Sequence, residues 1–115
     1  MTKNIKLIIG STRQNRVGSA IAPWIVEKAN TLGIAVEVID LKELDLPPFD
    51  APVPPAYQQT TTKAGLAWAK TVEEIDGFIF LTPEYNRSIP SSLKNAIDYL
   101  SPEWKDKQAA IVSYG

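Results

Sequence analysis

Ile5-Lys6-Leu7-Ile8-Ile9-Gly10-Ser11-Thr12-Arg13-Gln14-Asn15-Arg16-Val17-Gly18 passes from a short β-branched run through a polar turn into a helical pattern. The run reads as a buried strand ended by Gly10. Beyond the turn, Val17, Ile21, Trp24, Ile25 and Leu32 recur at three- and four-residue steps and predict a buried helical stripe ending near Gly33. Pro23 falls just past the first turn of that helix and predicts a mild kink.

The same alternation continues outward. Residues 34–39 read as a second strand, closed by Asp40. Five of the nine prolines lie between positions 47 and 55, so that stretch reads as irregular loop. A helix is predicted over 61–74, with Ala64, Trp68, Thr71, Val72 and Ile75 on its buried stripe. A third strand follows over 77–81 and a polar segment over 82–89. Pro90 suits the first position of a helix buried through Leu93, Ala96, Ile97 and Leu100. A charged turn at 105–107 leads to a fourth strand over 109–113. The order βαβαβαβ implies one α/β domain, residues 1–115, with a doubly wound parallel sheet between helical layers. Such sheets bind ligands beyond the carboxyl ends of the strands, where strand order reverses, which points at residues 10–18, 82–89 and 113–115.

Composition narrows the chemistry. The chain of 115 residues suits a single core. Twelve Lys and Arg against thirteen Asp and Glu leave a formal net charge of -1, a balance that calls for neither nucleic acid nor an anionic membrane. With no cysteine there is no thiolate chemistry, and with no histidine the usual acid–base group near neutrality is missing. The start, Met1-Thr2-Lys3-Asn4 followed by a five-residue apolar run, does not resemble a signal peptide or a membrane span, and predicts a cytoplasmic protein.

The first turn carries the elements of a phosphate site. A helix start offers free N–H groups and partial positive charge. Ser11 and Thr12 add hydroxyls, Arg13 and Arg16 add guanidinium donors, and Gly10 and Gly18 let the backbone turn and approach closely. The same residues also suit a capped strand–helix turn with two solvated arginines. Neither a G-x-G-x-x-G fingerprint nor a P-loop lysine is present, which favours a mononucleotide such as FMN. In Leu81-Thr82-Pro83-Glu84-Tyr85-Asn86-Arg87-Ser88-Ile89-Pro90, Tyr85 offers an aromatic face and Asn86 an amide, suited to a flat heterocycle. A polar loop whose tyrosine packs on its own helix is the alternative.

These residues carry a family resemblance. Gly10-Ser11-Thr12-Arg13 with Arg16 and Gly18, Thr82-Pro83-Glu84-Tyr85-Asn86, Ser88-Ile89-Pro90 and Leu93-Lys94-Asn95-Ala96-Ile97-Asp98 resemble the NAD(P)H-dependent FMN reductase family, with its related quinone and azo-dye reductases. The resemblance implies a flavodoxin-like sheet of order 2-1-3-4. It implies FMN as cofactor and NAD(P)H as electron donor, with hydride passed by a ping-pong route to a flavin, quinone or azo acceptor. Ser11, Arg13, Arg16, Val17 and Gly18 match the phosphate loop, with Arg16 where many relatives have Ser. Pro83, Glu84, Tyr85 and Asn86 match the loop bordering the flavin ring. Ser113, Tyr114 and Gly115 match the start of a third flavin loop. The flavin does the redox chemistry, so no catalytic side chain and no metal ligand is assigned. Glu84 is expected to structure its loop or meet an interface, and Lys94, Asn95 and Asp98 to shape the third helix.

The resemblance also implies a glycine-rich stretch, a helix, a fifth strand and a last helix that this sequence lacks. The chain is therefore read as C-terminally incomplete: truncated, a natural short form that covers its edge by association, or a sequence cut short. An unpaired fourth strand predicts self-association or low stability, and the family suggests a homodimer or homotetramer. Trp24, Trp68 and Trp104 are expected to pack, with Trp104 placed at a possible dimer contact. Two rival readings remain: a flavodoxin-type electron carrier, disfavoured by the near-neutral charge and two arginines, and a flavin-free fragment or interaction module. A phosphoacceptor receiver domain needs acidic residues after the first strand, which Gly10-Ser11-Thr12-Arg13 does not supply.

Overall fold

The computed structural model describes residues 3–115; Met1 and Thr2, part of the segment read as leaderless, lie outside them. Four parallel strands, β1 (Ile5–Ile9), β2 (Val36–Asp40), β3 (Gly77–Pro83) and β4 (Gln108–Tyr114), form one sheet in the order β2-β1-β3-β4. Ile5 stands level with Val36 on one side and Gly77 on the other, and Gly77 with Gln108, so the carboxyl ends of all four strands share one rim. Successive side chains on a strand face opposite ways, and β1 divides accordingly. Leu7 and Ile9 pack with Ala22 and Ile25 of α1 (Gly18–Thr31). Ile8 packs with Trp68 and Val72 of α3 (Lys63–Glu73) and Leu93 and Ala96 of α4 (Ser91–Asp98). The doubly wound sheet of order 2-1-3-4 is therefore the observed architecture.

Several elements differ from their sequence reading. The buried face of α1 is Gly18, Ala22 and Ile25, with Ala29 packed beside them, while Val17, Trp24 and Leu32 are 47%, 59% and 76% exposed. Ile21 and Ile25 of the predicted stripe do pack on the sheet's core cluster; Gly18, Ala22 and Ala29 join them and let the helix approach closely, while Trp24 and the two ends of the stripe turn away. Trp24 is thus not a core residue; Lys28 lies over its ring at 5.8 Å. Pro23 lies inside α1. β2 begins at Val36, not Ile34, because the Ile34 N–H donates back to the Ala29 carbonyl (2.9 Å) and closes α1. Gly33 makes that closure at φ +77°, a conformation costly for other residues.

A short helical turn, α2 (Leu41–Leu44), stands where irregular chain is predicted. Its start is set by the Asp40 carboxylate, which accepts from the Lys42 N–H at 3.0 Å. α3 starts after its cap Thr62, whose hydroxyl accepts from the Gly65 N–H. Pro90 is the cap of α4, not its first residue. β3 and β4 run two residues and one residue further than predicted, pairing Thr82 with Ser113 and Pro83 with Tyr114. Trp104, in a 3-10 turn over Pro102–Trp104, packs edge-on against Trp68 and Phe78, with centroids 6.1 and 5.1 Å away. It is half-buried and packs against the core cluster.

The proline-rich loop is fastened to α4. Asn95 accepts from the Phe49 N–H (2.8 Å) and donates to the Pro47 carbonyl (3.1 Å), which also accepts from the Tyr99 hydroxyl (2.6 Å). At the far side of the sheet β4 pairs, among the described residues, with β3 alone, and Ile111 is 71% exposed. No helix among the described residues is long and apolar enough to cross a membrane.

Candidate functional site

The three segments expected to carry a ligand meet at the carboxyl rim. Gly10 is held from both neighbours: its N–H donates to the Leu81 carbonyl at 2.9 Å, and its carbonyl accepts from the Ser92 hydroxyl at 2.5 Å. Ser11 is buried, and its hydroxyl shares a hydrogen bond with the Tyr85 hydroxyl at 3.2 Å. Tyr85 therefore reaches across to the first turn and does not pack on its own helix. The Arg16 guanidinium makes a two-pronged pair with Asp40, at 2.5 and 2.6 Å, and its Nη1 also donates to the Ser11 carbonyl at 2.9 Å. Arg13 is exposed, donating to the Gln14 carbonyl, and is paired with no carboxylate among the described residues.

Val17 is the N-cap of α1 and supplies no side-chain acceptor, and the first helical turn holds no acid. The α1 start thus has no side-chain cap of its own, and the Tyr114 hydroxyl of β4 faces the Gly18 backbone N–H. Gly18 follows at a close approach: a Cβ there would lie 3.1 Å from Ile9 Cγ2 and 3.1 Å from the Tyr114 hydroxyl. Burial, followed by the nearby Tyr85, pushes the Tyr114 phenol above its ordinary value.

The second segment is shaped by a tight turn. The Tyr85 and Ser88 backbones exchange N–H···O bonds at 2.9 and 3.0 Å, with Asn86 and Arg87 between them at φ 52° and 67°. This is the geometry of a type I′ turn, for which Asn is well suited. Pro83 is buried in β3, whereas Glu84 and Asn86 are exposed. The Glu84 N–H donates to the Tyr114 carbonyl at 3.1 Å, tying the second segment to the third. Between them opens a cleft of about 460 Å³ lined by Pro83, Glu84, Arg87, Ser113 and Gly115 among others. Ser113 and Gly115 are exposed to it.

The structure thus brings Ser11 to Tyr85, Gly18 to Tyr114, and Glu84 to the end of β4. It turns the Arg16 guanidinium toward β2, and it leaves Asn86 at a turn tip. Two contributors escape a motif reading, Asp40 and Ser92; the signal for Asp40 is only its place at the end of the second strand. Among the described residues no cluster of acidic side chains could hold a metal ion.

The arrangement has close parallels. A family model described as NADPH-dependent FMN reductase matches residues 4–115. An NAD(P)H-dependent FMN reductase of Schizosaccharomyces pombe is 39% identical over 100% of this chain and 59% of its own length. One from a Nectria species is 36% identical over 96% and 59%. Among solved structures, the flavoenzyme NAD(P)H:(acceptor) oxidoreductase FerB of Paracoccus denitrificans superimposes with a TM-score of 0.75 at 27% identity, covering 97% of this chain and 60% of its own. The chain spans about three fifths of the length of these relatives. On the family match and these identities, the chain belongs to the NADPH-dependent FMN reductase family.

Proposed function

We propose that this chain forms the larger part of an FMN-dependent oxidoreductase that takes hydride from NAD(P)H and passes it to a flavin, quinone or azo acceptor. The observation that carries this reading is the junction of a helix start that has no side-chain cap of its own with two loops joined through Ser11 and Tyr85. The donors present fit a flavin mononucleotide. Backbone amides at the start of α1, the Ser11 hydroxyl and the Arg13 guanidinium would hold the phosphate, with Val17 and Gly18 letting the backbone close on it. Pro83, Glu84, Tyr85 and Asn86 would border the ring on one side, and Ser113 and Gly115 its far edge.

FMN, when bound, supplies the hydride chemistry. The protein's own residues bind it, orient it and limit water around the ring. No side chain is assigned a proton-transfer or nucleophilic role, consistent with a site that holds neither His nor Cys. Quinone reductases among the relatives, such as one of Pseudomonas putida at 32% identity, support a small-molecule acceptor. The reading carries with it a cytoplasmic location, where reduced nicotinamide is kept, and a homodimer or homotetramer.

Purified protein is incubated with FMN, freed of excess ligand and scanned in the visible range, then assayed for NAD(P)H oxidation with a quinone. Retained flavin absorbance and acceptor-dependent turnover are expected. Retained flavin without turnover would replace the enzyme by an electron carrier, and unquenched FMN fluorescence beside folded protein would overturn the binding site itself. The exposed β4 edge favours one second reading, a flavin-free module that completes its sheet by association; whether the associated protein retains FMN separates the two.

A further inference from the structure

We propose that Arg16 and Asp40 form a positioning pair: Asp40 grips the Arg16 guanidinium, Arg16 fixes the Ser11 carbonyl, and the turn over residues 10–18 is thereby set in shape before any ligand arrives. This rests on the reading of that turn as the phosphate site.

The geometry separates the roles of the two arginines. Arg16 uses two nitrogens on the two Asp40 oxygens, at 2.5 and 2.6 Å, in the planar fork that suits a carboxylate. Both side chains are largely withdrawn from water, with 13% and 16% of their surface exposed. The third contact, from Nη1 to the Ser11 carbonyl at 2.9 Å, spans the turn from its far end back to its beginning. Gly10 and the Ser11 side chain are held by β3, α4 and Tyr85. Across the rest of the turn, which includes Asn15 at φ 55°, this guanidinium is the main cross-brace.

Asp40 is itself fixed, because one of its oxygens also accepts from the Lys42 N–H at the start of α2. The end of β2 and the start of α2 thus anchor the first turn through a single arginine. A neutral pair adds little attraction for a phosphate dianion, so Arg13 remains as the turn's unpaired cation.

The test compares Arg16→Ala, Arg16→Lys, Asp40→Asn and the Arg16→Ala/Asp40→Asn double variant with the unaltered chain. FMN affinity is read by fluorescence quenching, riboflavin serves as the phosphate-free control, and amide hydrogen exchange over 11–17 is followed in ligand-free protein. Each single variant, Arg16→Lys included, is expected to weaken FMN by roughly tenfold. The double variant should lose no more than the worse single, riboflavin binding should change little, and ligand-free exchange over 11–17 should quicken in all four. Asp40→Asn that leaves FMN affinity unchanged or tighter, while Arg16→Ala weakens it, would overturn the proposal and make Arg16 a direct phosphate ligand. So would additive losses, or an Arg16→Lys variant that binds normally. If the unaltered chain binds no FMN, the phosphate reading fails, and hydrogen exchange alone decides the brace: unchanged rates in the folded variants would sink it. Arg16→Lys and Asp40→Asn keep side-chain size, so they remain informative if Arg16→Ala does not fold.

Discussion

Asp40 shows how much one residue's meaning depends on its neighbours in space. In sequence it closes a strand; in the fold it caps α2 and pairs with an arginine of the turn between β1 and α1. The Arg16 hydrogen bond, more than any other cause, holds the Asp40 carboxyl below the usual carboxylate range, against the opposing pull of desolvation. The positive Lys42 and negative Glu43 stand near the pair as well. A carboxyl whose folded value is depressed binds fewer protons in the folded than in the unfolded chain. Its stabilisation is therefore complete above the unfolded value of about 3.9 and is lost as pH falls through the folded value. The melting temperature of the unaltered chain should exceed that of Asp40→Asn at pH 6, and the gap should close on acidification below about pH 4; a gap independent of pH would count against the pair. Gly18 is the second residue whose neighbours decide its role. Replacing it by Ala gains helix propensity worth at most about 1 kcal/mol. The added Cβ, however, presses on buried Ile9 at 3.1 Å, and overpacking of that kind costs about 1–3 kcal/mol. Gly18→Ala should therefore lower the urea midpoint, not raise it.

Among the elements, α1 and β4 carry the least complete packing. α1 presents Gly18, Ala22 and Ile25 to the sheet and leaves Trp24 and Leu32 outside. Among the described residues β4 pairs along one edge only, and Ile111 projects into solvent. A strand edge with apolar side chains is a template for pairing with another chain. Ile111→Lys should leave the melting temperature nearly unchanged, because the side chain is already exposed, while reducing self-association in sedimentation velocity. A sedimentation coefficient that Ile111→Lys does not alter would place any association elsewhere. α4 is better anchored. It buries Leu93 and Ala96, carries the Lys94–Asp98 pair at 2.6 Å, and through Asn95 holds the loop that five prolines keep from forming regular structure.

At the scale of the whole molecule, the parallel register puts four strand ends on one rim and thereby brings three distant segments together there. Binding at such a site stabilises the folded state by mass action. FMN at a hundred times its dissociation constant should add about 2.7 kcal/mol. A concentration-dependent rise in melting temperature is expected with FMN, and a smaller one with riboflavin, which lacks the phosphate. Equal shifts for the two would show that the turn over 10–18 takes no part in binding.

The alternation of apolar runs and amphipathic stretches was enough to determine four strands, three long helices, a parallel sheet and the rim where its loops collect. Those are consequences of local periodicity, turn residues and the handedness of crossovers. The motifs Gly10-Ser11-Thr12-Arg13 and Thr82-Pro83-Glu84-Tyr85-Asn86 were legible for the same reason, since each lies contiguous at a strand end. Only the tertiary structure decided which residues of the α1 stripe are buried, that Trp104 packs against the core, that Tyr85 meets Ser11, and that Arg16 belongs to Asp40. These are contacts between residues distant along the chain, selected by packing volume and by which charge lies nearest once the strands are side by side. No local pattern encodes them.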